Sequence, residues 1–386
     1  MHRQGQTFRH IVPLLLAASV IGCSDAAAQL DDDWRTDFSK HIVPLNEIVS
    51  GGPPKDGIPP IDNPKFVSVR DADAWLDDDE PVIVVNLGQD AKAYPLQILM
   101  WHEIVNDEIA GIPITVTFCP LCNTALSFDR RFDGQVLDFG TTGRLRYSDL
   151  VMYDRQTETW WQQATGQGLV GHYAGERLEF IASPLVSWET FKRTHPKGRV
   201  LSRDTGHART YGSNPYVRYD ELNRDPYRSF FDAEVDRRLP AKERVVALSA
   251  DGNARAYPFS ALSEVRVIND RFDGRDIVVV WAPGTMSALD AAEIRDSRDV
   301  GASGVFNRRI GDRVLTFMRA DDGLFIDEQT GSTWNVLGMA VGGPLEGLQL
   351  EPVPHGNHFW FAWAVFKPET EVITGGKAGR QEDGKD

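Results

Sequence analysis

The chain has 386 residues, 41% hydrophobic and 10% aromatic, enough for one large or two ordinary domains with normal cores. Its formal net charge of −15 excludes the basic face that nucleic-acid phosphates require, and with it electrostatic docking on anionic lipid.

From the N-terminus, Arg3 and Arg9 precede an apolar stretch at 11–22 that is too short to span a bilayer and reads as an export signal. It ends in Val20-Ile21-Gly22-Cys23, which is similar to a bacterial lipoprotein processing box. Residues 1–22 are therefore expected to be a lipoprotein-type signal peptide, with Cys23 the lipidated residue and a lipid anchor the only membrane contact. Ordinary cleavage after Ala26-Ala27-Ala28 is the rival reading. The expected location is the periplasm or cell envelope. Cys119 and Cys122 are then the two remaining thiols, in a disulfide-permissive compartment.

Residues 23–40 read as a tether containing Asp31-Asp32-Asp33, and the Gly/Pro run 51–60 as a rigid loop. Pro81 to Leu87 reads as a strand, Gly88-Gln89-Asp90 as a turn, and Pro95 as the opening of a helix carrying Leu96, Leu99, Met100 and Glu103 to Val105. Asn106-Asp107 and Gly111 are expected to mark a turn, and Ile112 to Phe118 a strand.

Residues further on repeat this order. Aligning Ala93-Tyr94-Pro95 on Ala256-Tyr257-Pro258 carries Asn106-Asp107 onto Asn269-Asp270 and Pro120 onto Pro283 without a gap. After a register shift, Asp154-x-x-Thr157 with Trp161 matches Asp327-x-x-Thr330 with Trp334. Between Phe139 and Met152 the first copy is about five residues longer, and Gly140-Thr141-Thr142-Gly143-Arg144 reads as an extra loop, the kind of segment where function tends to sit. The expected fold is a β-rich α+β protein of two tandem related halves from an internal duplication. The halves are 41–200 and 241–375, with a connector at 201–240 and a disordered tail at 376–386.

The copies differ where chemistry would sit. Cys119 becomes Ala282, Cys122 becomes Thr285, His102 becomes Val265, Met100 becomes Ser263 and Glu103 becomes Arg266. Two cysteines at this spacing can close a small disulfide, cycle between thiol and disulfide, or bind a soft metal as thiolates. Haem attachment is excluded because Asn123 follows Cys122, and a four-cysteine zinc site by count. A thioredoxin fold is not expected, because 123–128 offers at most one or two helical turns in β-rich surroundings. Cys119, Cys122 and His102 together suit Cu(I), the first expectation, or Zn²⁺, with Met100 and Met152 as further thioether candidates. Glu103 is a candidate to orient His102 or move a proton. The polar run Arg144, Arg146, Asp149, Tyr153, Asp154 and Arg155 is a candidate anion or cofactor rim.

Trp101-His102-Glu103-Ile104-Val105-Asn106-Asp107, Phe118-Cys119-Pro120-Leu121-Cys122 and Ser148-Asp149-Leu150-Val151-Met152-Tyr153-Asp154-Arg155 resemble an uncharacterised prokaryotic family, catalogued as domain of unknown function 3179. The resemblance covers most of the mature chain and implies a site at these residues without naming its chemistry. Three classes of function remain. One is an envelope lipoprotein with a soft-metal or thiol-redox site. Another is an envelope enzyme using His102, Glu103 and a cysteine on a small or cell-wall substrate. The third is a binding or scaffold protein with a structural disulfide and an unidentified protein partner.

Overall fold

Val82, Ile83, Val84 and Val85 are all buried, the continuous apolar run of a strand covered on both faces. Strand Pro81–Leu87 pairs with Asp90–Pro95 through a tight turn at Gly88, and Pro95 then caps the helix Leu96–His102. These features belong to a computed structural model that describes residues 34–250 and 252–375. Cys23, the expected signal peptide, the tether up to residue 33, Asp251 of an expected turn and the tail 376–386 lie outside the described residues. From Arg35 onward the chain forms one unit. Strand exceeds helix by 40% to 11%, so the protein is β-rich α+β.

The helix stops at His102 rather than continuing to Val105. Glu103 sits at φ 57°, its N–H donates to Leu99 O at 2.7 Å, and this left-handed residue swings the chain into strand Ile104–Ile109. Asn106 and Asp107 therefore lie in a strand, not in a turn. The turn is Ala110-Gly111, at φ 51° and 77°, as a two-residue hairpin to Ile112–Cys119 demands. Asn106 acts through its side chain, donating to Phe139 O at 2.8 Å and accepting from Phe139 N–H at 3.1 Å. Asp107 accepts from Tyr94 Oη at 2.6 Å and from Lys92 Nζ at 2.8 Å.

The same order recurs as Arg244–Ala250, Asn253–Pro258, helix Phe259–Val265, Val267–Phe272 and Arg275–Ala282. Val82 faces Pro95 as Val245 faces Pro258, and Ile104 faces Thr117 as Val267 faces Val280. The second helix also ends on a left-handed residue, Arg266 at φ 68°. Asn269 brackets the Phe317 backbone as Asn106 brackets Phe139. One sheet crosses the two sets of elements: Gly356–Phe359 pairs with Arg244–Ala250 on one side and, at Asn357 opposite Ala125, with Thr124–Asp129 on the other.

Two departures place the site. Cys119 and Thr124 close a tight turn, whereas Ala282 and Ala302, the paired ends of the equivalent strands, are separated by the long loop 283–301. That loop meets the segment 202–243, which forms no helix or strand, through Tyr219 N–H to Leu289 O at 3.1 Å and Asn214 N–H to Ala292 O at 2.8 Å. Segment 202–243 also reaches the first-half strands, where Ser148 N–H donates to Phe230 O at 2.7 Å.

Gly140 to Arg144 are not a loop. They belong to strand Phe139–Arg146, which bulges between Thr141 and Arg144 against Asp149–Asp154. Gly143 is at φ 71°, and a Cβ there would fall 1.9 Å from Pro53 O. Only glycine lets the Pro-rich segment cross the bulge this closely.

Candidate functional site

Cys119 ends strand Ile112–Cys119, and Pro120-Leu121 turns the chain back. Cys122 N–H donates to Cys119 O at 3.3 Å and Asn123 N–H to Pro120 O at 3.2 Å. Asn123, at φ 50°, then leads into strand Thr124–Asp129. The turn brings both sulfurs together as free thiols, 2% and 0% exposed. Opposite them, the left-handed pair Tyr147-Ser148 (φ 53° and 68°) delivers Asp149 at the start of its strand. One oxygen of Asp149 and the two sulfurs all lie within 4.8 Å of one another.

Asp149 is fully buried. Its Oδ1 accepts from Gln162 Nε2 at 2.6 Å and Ala164 N–H at 2.9 Å, while Oδ2 has no hydrogen-bond partner. Burial raises its pKa from 3.8 to about 7. Burial, then the Asp149 charge, raises Glu103 to about 8. Burial also pushes both thiols up, Cys122 well above the usual value. Cys119 Sγ donates to Ser148 O at 3.6 Å. The metal-free site thus favours protonated thiols and a protonated Glu103, and Asp149 gives up its proton only near pH 7, since desolvation penalises each charged form.

Lys242 is the cation beside this group. It is 1% exposed, and its Nζ stands 3.4 Å from the Tyr219 ring centre and 4.5 Å from that of Phe361, with no hydrogen-bond partner. Burial lowers its pKa to about 7 against the opposing pull of a Cys122 thiolate. The Tyr219 hydroxyl is also unpartnered. A buried thiol pair, an open carboxylate oxygen and a buried amine can together accept a metal cation in exchange for protons.

His102 is not in this group. Its Nδ1 lies 2.7 Å from Pro59 O and its Nε2 2.7 Å from Tyr211 Oη, so both ring nitrogens are engaged. Burial lowers its pKa to about 4. The left-handed Glu103 separates neighbouring side chains: Glu103 acts on Asp149 and Cys119, whereas His102 faces Pro59 and segment 202–243. Asp149 therefore stands where His102 was expected. Met100 and Met152 are buried in the same core cluster as the cysteines.

Of the expected rim, Asp149 reaches the cysteines, while Tyr153, Asp154, Arg155 and Arg144 engage other groups. Tyr153 Oη donates to Asp56 at 2.6 Å and Arg155 pairs with Asp62 at 2.8 Å, both on the Pro-rich segment. Asp154 accepts from Thr157 N–H at 2.6 Å and Trp161 Nε1 at 2.9 Å, fixing a turn. Arg144 lies over the Trp160 ring at 5.5 Å. Tyr153 and Asp154 close the strand that Asp149 opens, about 15 Å along it at roughly 3.4 Å per residue.

Asp149 was readable in one respect. The excess residues between Phe139 and Met152 lengthen a hairpin whose counterpart pairs only Phe317–Arg319 with Phe325–Asp327. The extension carries Asp149 to the cysteines.

The family model described as a protein of unknown function, DUF3179, matches residues 55–370, and the chain belongs to this family. Neither the curated proteins nor the solved structures gave a match.

Proposed function

We propose that this protein is an exported, lipid-anchored envelope protein that binds a thiophilic d¹⁰ metal ion through Cys119, Cys122 and Asp149. The observation that carries the reading is the buried Asp149 carboxyl, one oxygen of which lies within 4.8 Å of two free buried thiols. Gln162 and Ala164 hold Oδ1, which leaves Oδ2 to exchange its proton for a metal bond. Zn²⁺ takes thiolate and carboxylate ligands together, whereas Cu(I) favours sulfur alone.

The charge balance depends on Asp149. Two thiolates and an ionised Asp149 carry −3, which Zn²⁺ and a protonated Lys242 neutralise, whereas Cu(I) and Lys242 neutralise the two thiolates only with Asp149 left protonated and unbound, and an uncompensated buried charge is costly. Zinc is therefore the first choice and copper(I) the second. Lys242 supplies compensating charge, and Glu103, neutral at pH 7, excludes water at the edge of the site. We also read the two sets of matching elements as products of one duplication, with the metal site kept in the first. The shared strand registers and paired left-handed helix ends support this.

The test is a metal titration of reduced, chelator-treated protein, read by competition with a chromophoric chelator. One zinc per chain is expected, lost in Cys119→Ser and Cys122→Ser. Absence of stoichiometric zinc and copper(I) binding, together with reversible oxidation of the pair by a small disulfide, would replace the metal reading with a thiol-redox one.

A further inference from the structure

A second feature lies just beyond the cysteine turn, where Gly356–Phe359 meets Thr124–Asp129 and Phe359 N–H donates to Cys122 O at 2.9 Å. The seam leaves a cavity of about 80 Å³. Its charged and titratable lining is Arg177, Lys367, His355 and His358, with no carboxylate. In a chain of net charge −15, a cavity with two cations, two neutral histidines and no carboxylate is a departure from the bulk.

Neither Arg177 nor Lys367 has a salt-bridge partner among the described residues, and the Arg177 charge acts directly on Lys367. Two cations held together without a counter-ion repel one another, and a bound anion would relieve them.

His355 gives an independent pointer. It is 7% exposed, its Nδ1 lies 2.8 Å from Val353 O, and its Nε2 has no partner. With Nδ1–H donating to the carbonyl, burial favours the neutral ring, so Nε2 becomes a second donor only when a proton arrives with an anionic ligand that compensates its charge. His358 is set by Thr124 Oγ1, 2.9 Å from its Nδ1, and its ring stands so close to the backbone that a Cβ on Gly356 would fall 2.2 Å from Nε2. The remaining wall carries Leu126, Phe180 and Trp363 together with the hydroxyl residues Thr165 and Ser249.

We propose that this cavity binds a short-chain monocarboxylate, its carboxylate between Arg177, Lys367 and His355 and its alkyl end against Leu126, Phe180 and Trp363. Size sets the chain length. A cavity of about 150 Å³ holds benzene, so the smaller volume here suits about two to four carbons.

The test is calorimetric titration of the mature protein with sodium propionate at low ionic strength, with propionamide and inorganic phosphate as comparison probes. Propionate is expected to bind at one site and propionamide not. Arg177→Gln and Lys367→Gln should each weaken propionate about tenfold, and His355→Phe should weaken it further. Arg177 is exposed and Lys367 partly exposed, so both variants should keep the parent unfolding transition. Failure of propionate to bind, affinity unchanged in the Arg177→Gln/Lys367→Gln double variant, or phosphate binding tighter than propionate would overturn the proposal. Because Cys119→Ser should leave propionate binding intact, the outcome is separable from that of the metal site.

Discussion

Replacing Asp149 by Asn should stabilise the metal-free protein and remove its response to zinc. Raising a carboxyl from 3.8 to about 7 makes its ionisation in the fold cost about 4 kcal/mol. Between about pH 4 and pH 7 the folded state holds a proton at Asp149 that the unfolded state has released. Stability therefore falls as pH rises through that window and is level above it. The Asp149→Asn variant has no such dependence. The carbonyl of the introduced amide can keep the bonds from Gln162 and Ala164, but its NH₂ group faces sulfur, a weak acceptor, at a cost of about 1–2 kcal/mol. The net expectation is a gain of about 2–3 kcal/mol at pH 8 and a small loss at pH 4.5. Urea unfolding followed by tryptophan fluorescence in chelator measures this at both pH values. With free zinc at a hundred times its Kd, the parent should gain about 2.7 kcal/mol and Asp149→Asn should gain far less. A variant less stable than the parent at pH 8 in chelator, or one that zinc stabilises equally, would refute the reasoning.

His102→Phe should lose about 1–3 kcal/mol by stranding Pro59 O, Tyr211 Oη keeping its bond with Thr205 Oγ1, while zinc affinity in the same chelator competition stays within twofold. Glu103→Gly should raise stability by about 1 kcal/mol or more, because glycine takes φ 57° without strain; urea midpoints read it, and a loss would show that Glu103 does more than fill its place. Lys242→Met should move the pH midpoint of zinc uptake upward, since the thiolates lose their compensating charge; a titration of zinc loading from pH 5 to 9 shows the shift. In a Cys23→Ser chain, Cys119 and Cys122 should resist Ellman's reagent in the native state and both react in urea, given exposures of 2% and 0%; fast native labelling would contradict the burial.

Local chemistry was readable where one residue type decides it. Pro95 opening a helix, Asp154 and Thr157 making a turn, and the alternation from Ile112 to Phe118 each follow from backbone rules that act over a few residues. Asn106-Asp107 misled because Asn and Asp favour turns in isolation, whereas here their side chains serve distant partners, Phe139 and Tyr94. The helix end at Glu103 was hidden for a related reason. A glutamate in the left-handed region carries no compositional mark, yet it decides that Glu103 and not His102 faces the cysteines. Comparing the copies identified Cys119 and Cys122 from within the chain. It did not single out Asp149 from the polar run 144–155 or find Lys242, which arrive through a lengthened hairpin and through the chain beyond segment 201–240. Spacing alone does not encode such long-range placement.

The most direct measurement is X-ray absorption at the zinc edge of the loaded protein, compared with the loaded Asp149→Asn variant. Two sulfur scatterers at about 2.3 Å and an oxygen at about 2.0–2.2 Å, the sulfurs retained and the oxygen shell changed in the variant, are the predicted result. A spectrum without sulfur, or one with the outer-shell pattern of imidazole ligation that is lost in His102→Phe, would contradict the assignment of Cys119, Cys122 and Asp149 as the metal ligands.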